Sequence, residues 1–228
     1  MRRRPRVWKS DRTRFGNKVV IFICNGMLIV LSSPVPMVDE ARWINALFDA
    51  GLEYFHLRKP GRERGEVETL VRAIDRRYYD RVVSHHHHTL ACDVGMNRLH
   101  FTEFMRQKLE DDDLVILRAQ GMVLSTSIHH HRDYPTLSEH FDYTLISPVF
   151  DSFSKPGYAA QPELLSLPAS VHGVKRIALG GIDADTCREV AVAGFDGIAM
   201  LGAIWQCADP VESFKTIQHA WSTTAPSY

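Results

Sequence analysis

Nine of the twelve histidines in this 228-residue chain fall in four places: His56, the run His85 to His88, His100 and the run His129 to His131. Imidazole is the side chain whose ordinary pKa lies closest to neutrality, so it can take and return a proton at physiological pH. In its neutral form it also binds zinc and related metals, and on a loop it can be merely solvated. A second group follows an apolar run in "DYTLISPVFDSFSKPGY", residues 142 to 158, where Ser147, Ser152, Ser154 and Lys155 lie close together. Hydroxyls and an ammonium so placed suit a phosphate or carboxylate oxygen, although a solvated serine-rich turn has the same composition. A third group is glycine: "ALGGI" (178–182) and "AMLGAI" (199–204) carry Gly180, Gly181 and Gly202, and glycine lets backbone N–H groups approach an anion closely.

The elements that must hold these residues alternate in type. "LIVLSS", "EYFHLRK" and "RVVSH" have strand composition, and "DEARWINALFDAG" and "EVETLVRAIDRRYYD" between them are amphipathic. In the first helix Ala41, Ile44, Leu47 and Phe48 share one face, and Gly51 ends it. Further strands are expected at 98–101, 122–128, 143–149, 175–181 and 197–201, and helices at "DADTCREVAVAG", capped by Asp183 or Asp185, and "DPVESFKTIQHAW". Eight strands alternating with helices or loops predict a single-domain α/β fold, a (β/α)8 barrel. In such a barrel the active site lies where the strands end, and the loops after the last two strands favour phosphate. The histidines, the serine-rich loop and both glycine segments fall at those ends.

Composition narrows the partner. Lys plus Arg and Asp plus Glu balance at 27 each, but residues 1 to 18 hold eight basic residues and one acid, which leaves a net-acidic body. That argues against nucleic acid, whose binders need a basic face, and favours a small molecule. The four scattered cysteines read as reduced thiols of a cytoplasmic protein. The run "VVIFICNGMLIVLSS" is shorter than the roughly 20 apolar residues a membrane span needs. It follows a basic front as a signal peptide does, yet "MLIVLSSP" is needed as the first strand. Residues 1–26 are therefore expected to be a disordered leader or sequence upstream of a start at Met27, with the barrel over 27–222 and a tail over 223–228.

With these residues assembled, the chain resembles the thiamine-phosphate synthase and thiazole tautomerase family over nearly all of residues 27 to 205. The resemblance rests on "HLRKP" (56–60), "SHHHH" (84–88), "SIH" (127–129), "SPVFDSFSK" (147–155), "ALGGI" and "GIAMLGAI". It implies a barrel that binds a thiazole ethyl phosphate. Gly180, Gly181, Leu201 and Gly202 would hold the phosphate, and Arg58, Lys59, His85, Ser127, Ser152, Ser154 and Lys155 the rest of the substrate. Synthases join that thiazole to a pyrimidine diphosphate using magnesium, but where the family carries aspartates this chain has His86 and a position near Met105. Hard oxygen donors suit magnesium and imidazole does not. The resemblance thus implies first a tautomerase-type isomerase with no metal or other cofactor, His129 as its acid and base and His56 beside it. A synthase using Mg2+ comes second, and a silent binder of thiazole phosphate third. It implies neither a nucleic-acid nor a membrane partner and leaves homo-oligomer formation open.

Overall fold

A computed structural model describes residues 26–151, 160–168 and 171–224. The expected leader and tail fall outside these residues except for Gly26, Thr223 and Thr224. Eight parallel strands close into one barrel in sequence order. They are β1 (Met27–Leu31), β2 (Tyr54–Leu57), β3 (Val82–Ser84), β4 (Arg98–Phe101), β5 (Val123–Ile128), β6 (Tyr143–Ile146), β7 (Lys175–Leu179) and β8 (Gly197–Met200). Closure is made by β1 on β8, with Ile29 opposite Ala199. Parallel strands covered on both faces carry almost no polar alternation, and β1, β6 and β8 are buried at every position.

The helices are α1 (Glu40–Asp49), α2 (Arg64–Ala73), α3 (His88–Val94), α4 (Glu103–Arg106), α5 (Asp111–Ala119), α6 (Cys187–Val192), α7 (Gly202–Trp205) and α8 (Pro210–Thr224). In α1, Ile44, Leu47 and Phe48 face the strands, as their spacing predicts, and Gly51 follows the helix with a positive φ of 103°. The second amphipathic stretch does not stay helical. It breaks at Ile74, which is buried in an extended conformation, and resumes as a 3-10 turn over Arg76–Arg81 in which the Asp75 carboxylate accepts from the Arg77 amide. Asp183 also departs from expectation: it accepts from the Asp185 and Thr186 amides in the turn ahead of α6, whose N-cap is Thr186. The C-terminal α8 packs against α1, α6 and α7, and Asp209 caps it through the Val211 and Glu212 amides.

Two cores result. The larger lies between the strands and the helices, and the smaller fills one half of the barrel interior with Met27, Ile29, Leu31, Tyr143, Leu145, Ile177 and Ala199. The other half of the interior is polar: His56, His85, His100 and Ser125 point inward from β2 to β5 and the turn after β3. Among the described residues no helix is long and apolar enough to cross a membrane. Cys92, Cys187 and Cys207 are free thiols.

Candidate active site

A cavity of about 1100 Å³ opens where the strands end. Arg58 reaches it from β2, His85 from the turn after β3, Glu103 from the start of α4, Ser127 and His129 from β5 and its loop, and Ser147 from the end of β6. Gly180, Gly181, Leu201 and Gly202 border it from the last two strand ends. Eight of the thirteen residues predicted for the site therefore share one cavity. Ser152, Ser154 and Lys155 lie outside the described residues. Arg58 is the only Lys or Arg among the described residues of the wall.

The other two predicted residues stand elsewhere. Lys59, expected to bind substrate, is buried beneath the mouth, where its Nζ donates to both Glu40 carboxylate oxygens at 2.6 and 2.7 Å and to the Ser33 carbonyl at 2.8 Å. Burial raises the Glu40 pKa, which the Lys59 hydrogen bond opposes. With its three protons so used, Lys59 is a structural partner and not a free cation. His56, expected to be catalytic, is wholly buried and does not reach the cavity, because His85 stands in front of it.

His129 has a defined tautomer. Its Nδ1 lies 2.9 Å from the carbonyl oxygen of Ser147, which can only accept, so Nδ1 carries the proton and Nε2 keeps the lone pair. That Nε2 lies 4.0 Å from a Glu103 carboxylate oxygen. A proton picked up at Nε2 would therefore meet a negative charge at once, which is the arrangement a general base needs.

Behind this surface lies a network that only the fold assembles. His56 Nδ1 lies 2.8 Å from His85 Nε2, and His56 Nε2 lies 2.8 Å from the Tyr143 hydroxyl. His100 spans two serines of β5, with Nδ1 3.0 Å from Ser125 Oγ and Nε2 3.0 Å from Ser127 Oγ. Burial holds all three imidazoles neutral. It lowers the His56 pKa to about 3, helped by Arg98, and puts His85 and His100 well below the usual range, each helped by the other histidines. The three rings come close enough to suggest a metal site. However, the His85 and His100 rings stack at 3.9 Å and 23°, so their in-plane lone pairs run nearly parallel instead of converging on one ion. The four ring nitrogens of His56 and His100 are also already hydrogen-bonded.

Sequence reasoning missed the parts that Tyr143, Ser125 and His100 play in this network. The available signal was the i, i+2 pair Ser125 and Ser127 on a barrel strand, since that spacing puts both side chains on one face. His86, expected to be exposed, is half-buried, and its Nε2 has no partner among the described residues. His130 and His131 are exposed as expected.

The paired glycines have a second reason to be glycine. Both have positive φ, 99° at Gly180 and 64° at Gly181. A Cβ on Gly180 would stand 2.9 Å from Pro148 Cα, and one on Gly181 would stand 2.6 Å from both the Asp151 carbonyl oxygen and Phe150 Cβ. They let the chain leaving β6 lie against that leaving β7, where Val149 and Phe150 donate to the Leu179 and Gly180 carbonyls at 3.1 Å.

Magnesium, which the resemblance implies for a synthase, does not fit the donors described at β3 and β4. By the resemblance, one aspartate position holds the imidazole of His86 and the other falls near Met105, and Glu103 supplies one carboxylate, where magnesium wants several hard oxygens.

Residues 27–204 match the family model described as thiamine monophosphate synthase. A thiamine-phosphate synthase of Shigella dysenteriae is 30% identical over 181 residues, covering 76% of this chain and 84% of that protein. That of Klebsiella pneumoniae is 29% identical over the same shares. Among solved structures, a thiamine phosphate pyrophosphorylase of Bacteroides thetaiotaomicron aligns with a TM-score of 0.65 at 28% identity, covering 85% of this chain and 96% of that one. One from Pyrococcus furiosus aligns with a TM-score of 0.68 over 90% and 98%, at 16% identity, which speaks for the fold alone. With its eight-stranded barrel, its cavity at the strand ends and a family match spanning most of its length, the chain belongs to the thiamine monophosphate synthase family of thiamine-biosynthesis enzymes.

Proposed function

We propose that this chain is a metal-independent isomerase of the thiazole tautomerase type, acting on a thiazole that bears an ethyl phosphate. The observation that carries this reading is the His129 side chain, whose Nε2 lone pair is fixed by the Ser147 carbonyl and backed by Glu103 in the cavity wall. In the reaction Nε2 takes a proton from a ring carbon, and the C–H electron pair becomes a ring double bond. The electrons of the exocyclic double bond then take up a proton at the exocyclic carbon, and the ring is aromatic. Glu103 stabilises the imidazolium in between, and Arg58 offers its guanidinium to the phosphate. The backbone of Gly180, Gly181, Leu201 and Gly202 borders the same cavity, in keeping with a phosphate at the last two strand ends. Ser152, Ser154 and Lys155, outside the described residues, are assigned to substrate binding by the family resemblance alone.

The test is aromatisation of the thiazole tautomer phosphate in the presence of EDTA. Turnover is expected in EDTA, and His129→Ala is expected to lose about 100-fold or more. A His129→Ala protein with its full rate would remove the mechanism.

A second reading is favoured by the relatives near 30% identity, which are thiamine-phosphate synthases. On that reading the chain joins a pyrimidine diphosphate to the thiazole phosphate, releasing diphosphate, only when magnesium is added. Binding of thiazole phosphate without either turnover would leave the chain a ligand-binding protein.

A further inference from the structure

A serine in a cavity wall ordinarily adapts to its ligand, because its hydroxyl can turn to donate or to accept. Ser127 cannot, and the reason lies behind it. The Ser125 hydroxyl donates to the Leu99 carbonyl oxygen at 3.3 Å, which uses its one proton. Its oxygen, 3.0 Å from His100 Nδ1, is left to accept, so Nδ1 carries the His100 proton. His100 is buried and burial holds it neutral, so its other nitrogen, Nε2, keeps a lone pair. Ser127 Oγ lies 3.0 Å from that lone pair and must donate to it. The direction of each bond is thus set from the Leu99 carbonyl outward, and the Ser127 proton is turned away from the cavity that Ser127 lines.

We propose that Ser127 is a specificity-determining residue that offers the ligand a hydrogen-bond acceptor and no donor, so that the ring edge lying against β5 must carry an N–H or amino group. Two residues on, His129 offers the cavity the Nε2 lone pair, and the Glu103 carboxylate near it also accepts. Acceptors therefore collect on this side, while Arg58 and the glycine backbone, the donors assigned to phosphate, come from β2 and the last two strand ends. A ligand acceptor at Ser127 would set lone pair against lone pair, an unpaired contact of the kind by which sites reject near-isosteres. The proposal rests on the reading of a thiazole phosphate as the guest, but not on its isomerisation. Ser125 and His100 do not line the cavity; they act through Ser127 and are positioning residues.

Ser125→Ala tests this order of donors from its buried end. Without the Ser125 oxygen, a proton on His100 Nδ1 would be a buried donor with no acceptor, whereas a proton on Nε2 keeps Ser127 as its acceptor and strands only a lone pair. The tautomer should therefore flip, and Ser127 regains a proton for the ligand. Spectra of 15N-histidine-labelled protein read this without ligand: wild-type His100 should show a pyrrole-type Nδ1 and a pyridine-type Nε2, and Ser125→Ala the reverse. A wild-type proton on Nε2 overturns the proposal. Calorimetry reads the selection with two probes, thiazoles bearing the ethyl phosphate and, at the ring carbon between sulfur and nitrogen, either an amino group or a methyl of similar size. The amino probe should bind the wild type about 10-fold more tightly, and the preference should fall to about twofold or less in Ser125→Ala, whose thermal midpoint shows it folded, while the methyl probe binds as before. Ser127→Ala, at the cavity surface, should lose the preference too. No preference in the wild type, or one that survives either substitution, overturns the proposal. If neither probe binds, the thiazole reading falls, and the spectra alone decide whether Ser127 has a proton to give. If the preference is found without turnover of the thiazole tautomer, the isomerase reading falls and the selection stands.

Discussion

Lowering the pH from 7 to 5 should unfold this barrel far more readily than its carboxylates alone would allow. His56, His85 and His100 titrate near 6.5 in an unfolded chain, but burial pushes each of them well below that in the fold, His56 to about 3. Below pH 6.5 the unfolded chain therefore binds more protons than the folded one, so stability rises with pH across this window and falls on acidification. Holding one imidazole neutral costs about 0.2 kcal/mol at pH 7 and about 2 kcal/mol at pH 5, by the linkage relation with an unfolded pKa near 6.5. Three such groups give a loss of about 5 to 6 kcal/mol, against a total stability of about 5–15 kcal/mol for an ordinary domain. Burial lowers His86 and His88 as well, so they act in the same direction. Glu40, whose pKa is raised by burial, acts oppositely, because a raised folded pKa favours the fold as the pH falls through it. Urea titrations at pH 7 and pH 5 are the assay, and at a slope of about 2–3 kcal/mol per molar the midpoint should drop by about 2 M. Acid spectra should show the loss reversed on return to pH 7. If the midpoints at pH 7 and pH 5 coincide, the interior imidazoles are not neutral and desolvated, and the reasoning fails.

The remaining stability predictions concern two positions that sequence alone assigned to ligand binding. Lys59→Met leaves the Glu40 carboxylate buried without its partner and should cost about 3–5 kcal/mol, whereas the double variant with Glu40→Met should recover most of it; equilibrium unfolding of both proteins checks this. Gly181→Ala places a methyl 2.6 Å from the Asp151 carbonyl oxygen at a φ of 64°, so a loss of about 1–3 kcal/mol and a lower thermal midpoint are expected even without any ligand. An unchanged midpoint would mean that the β6 loop gives way, and that the glycine is needed only for the anion.

Strand positions were legible because a parallel barrel buries both faces of each strand, so short β-branched runs stand out against the amphipathic stretches between them. All eight strands occur where the apolar runs predict them, with no end shifted by more than three residues. The histidine at the end of β3 was not legible to that precision. Whether His85 or His86 faces inward turns on a one-residue shift, and the pairing of Leu57 with Ser84 decides for His85. Lys59 was assigned to substrate by the resemblance of "HLRKP" to the family's second-strand motif; only the approach of Glu40 from the start of α1 shows where its charge is used.

The sequence by itself determined the alternation of strands and helices, and with it the end of the barrel at which His129, Arg58 and the glycine pairs had to collect. Only the tertiary structure decided which imidazoles touch one another. His56, Tyr143 and His100 come from β2, β6 and β4, far apart in the chain, and barrel closure brings the Tyr143 hydroxyl within hydrogen-bonding reach of His56 and the His100 ring to 5.3 Å from it. Periodicity reports which way a side chain points from its own strand, but the partner it finds across the barrel is set by the register of all eight.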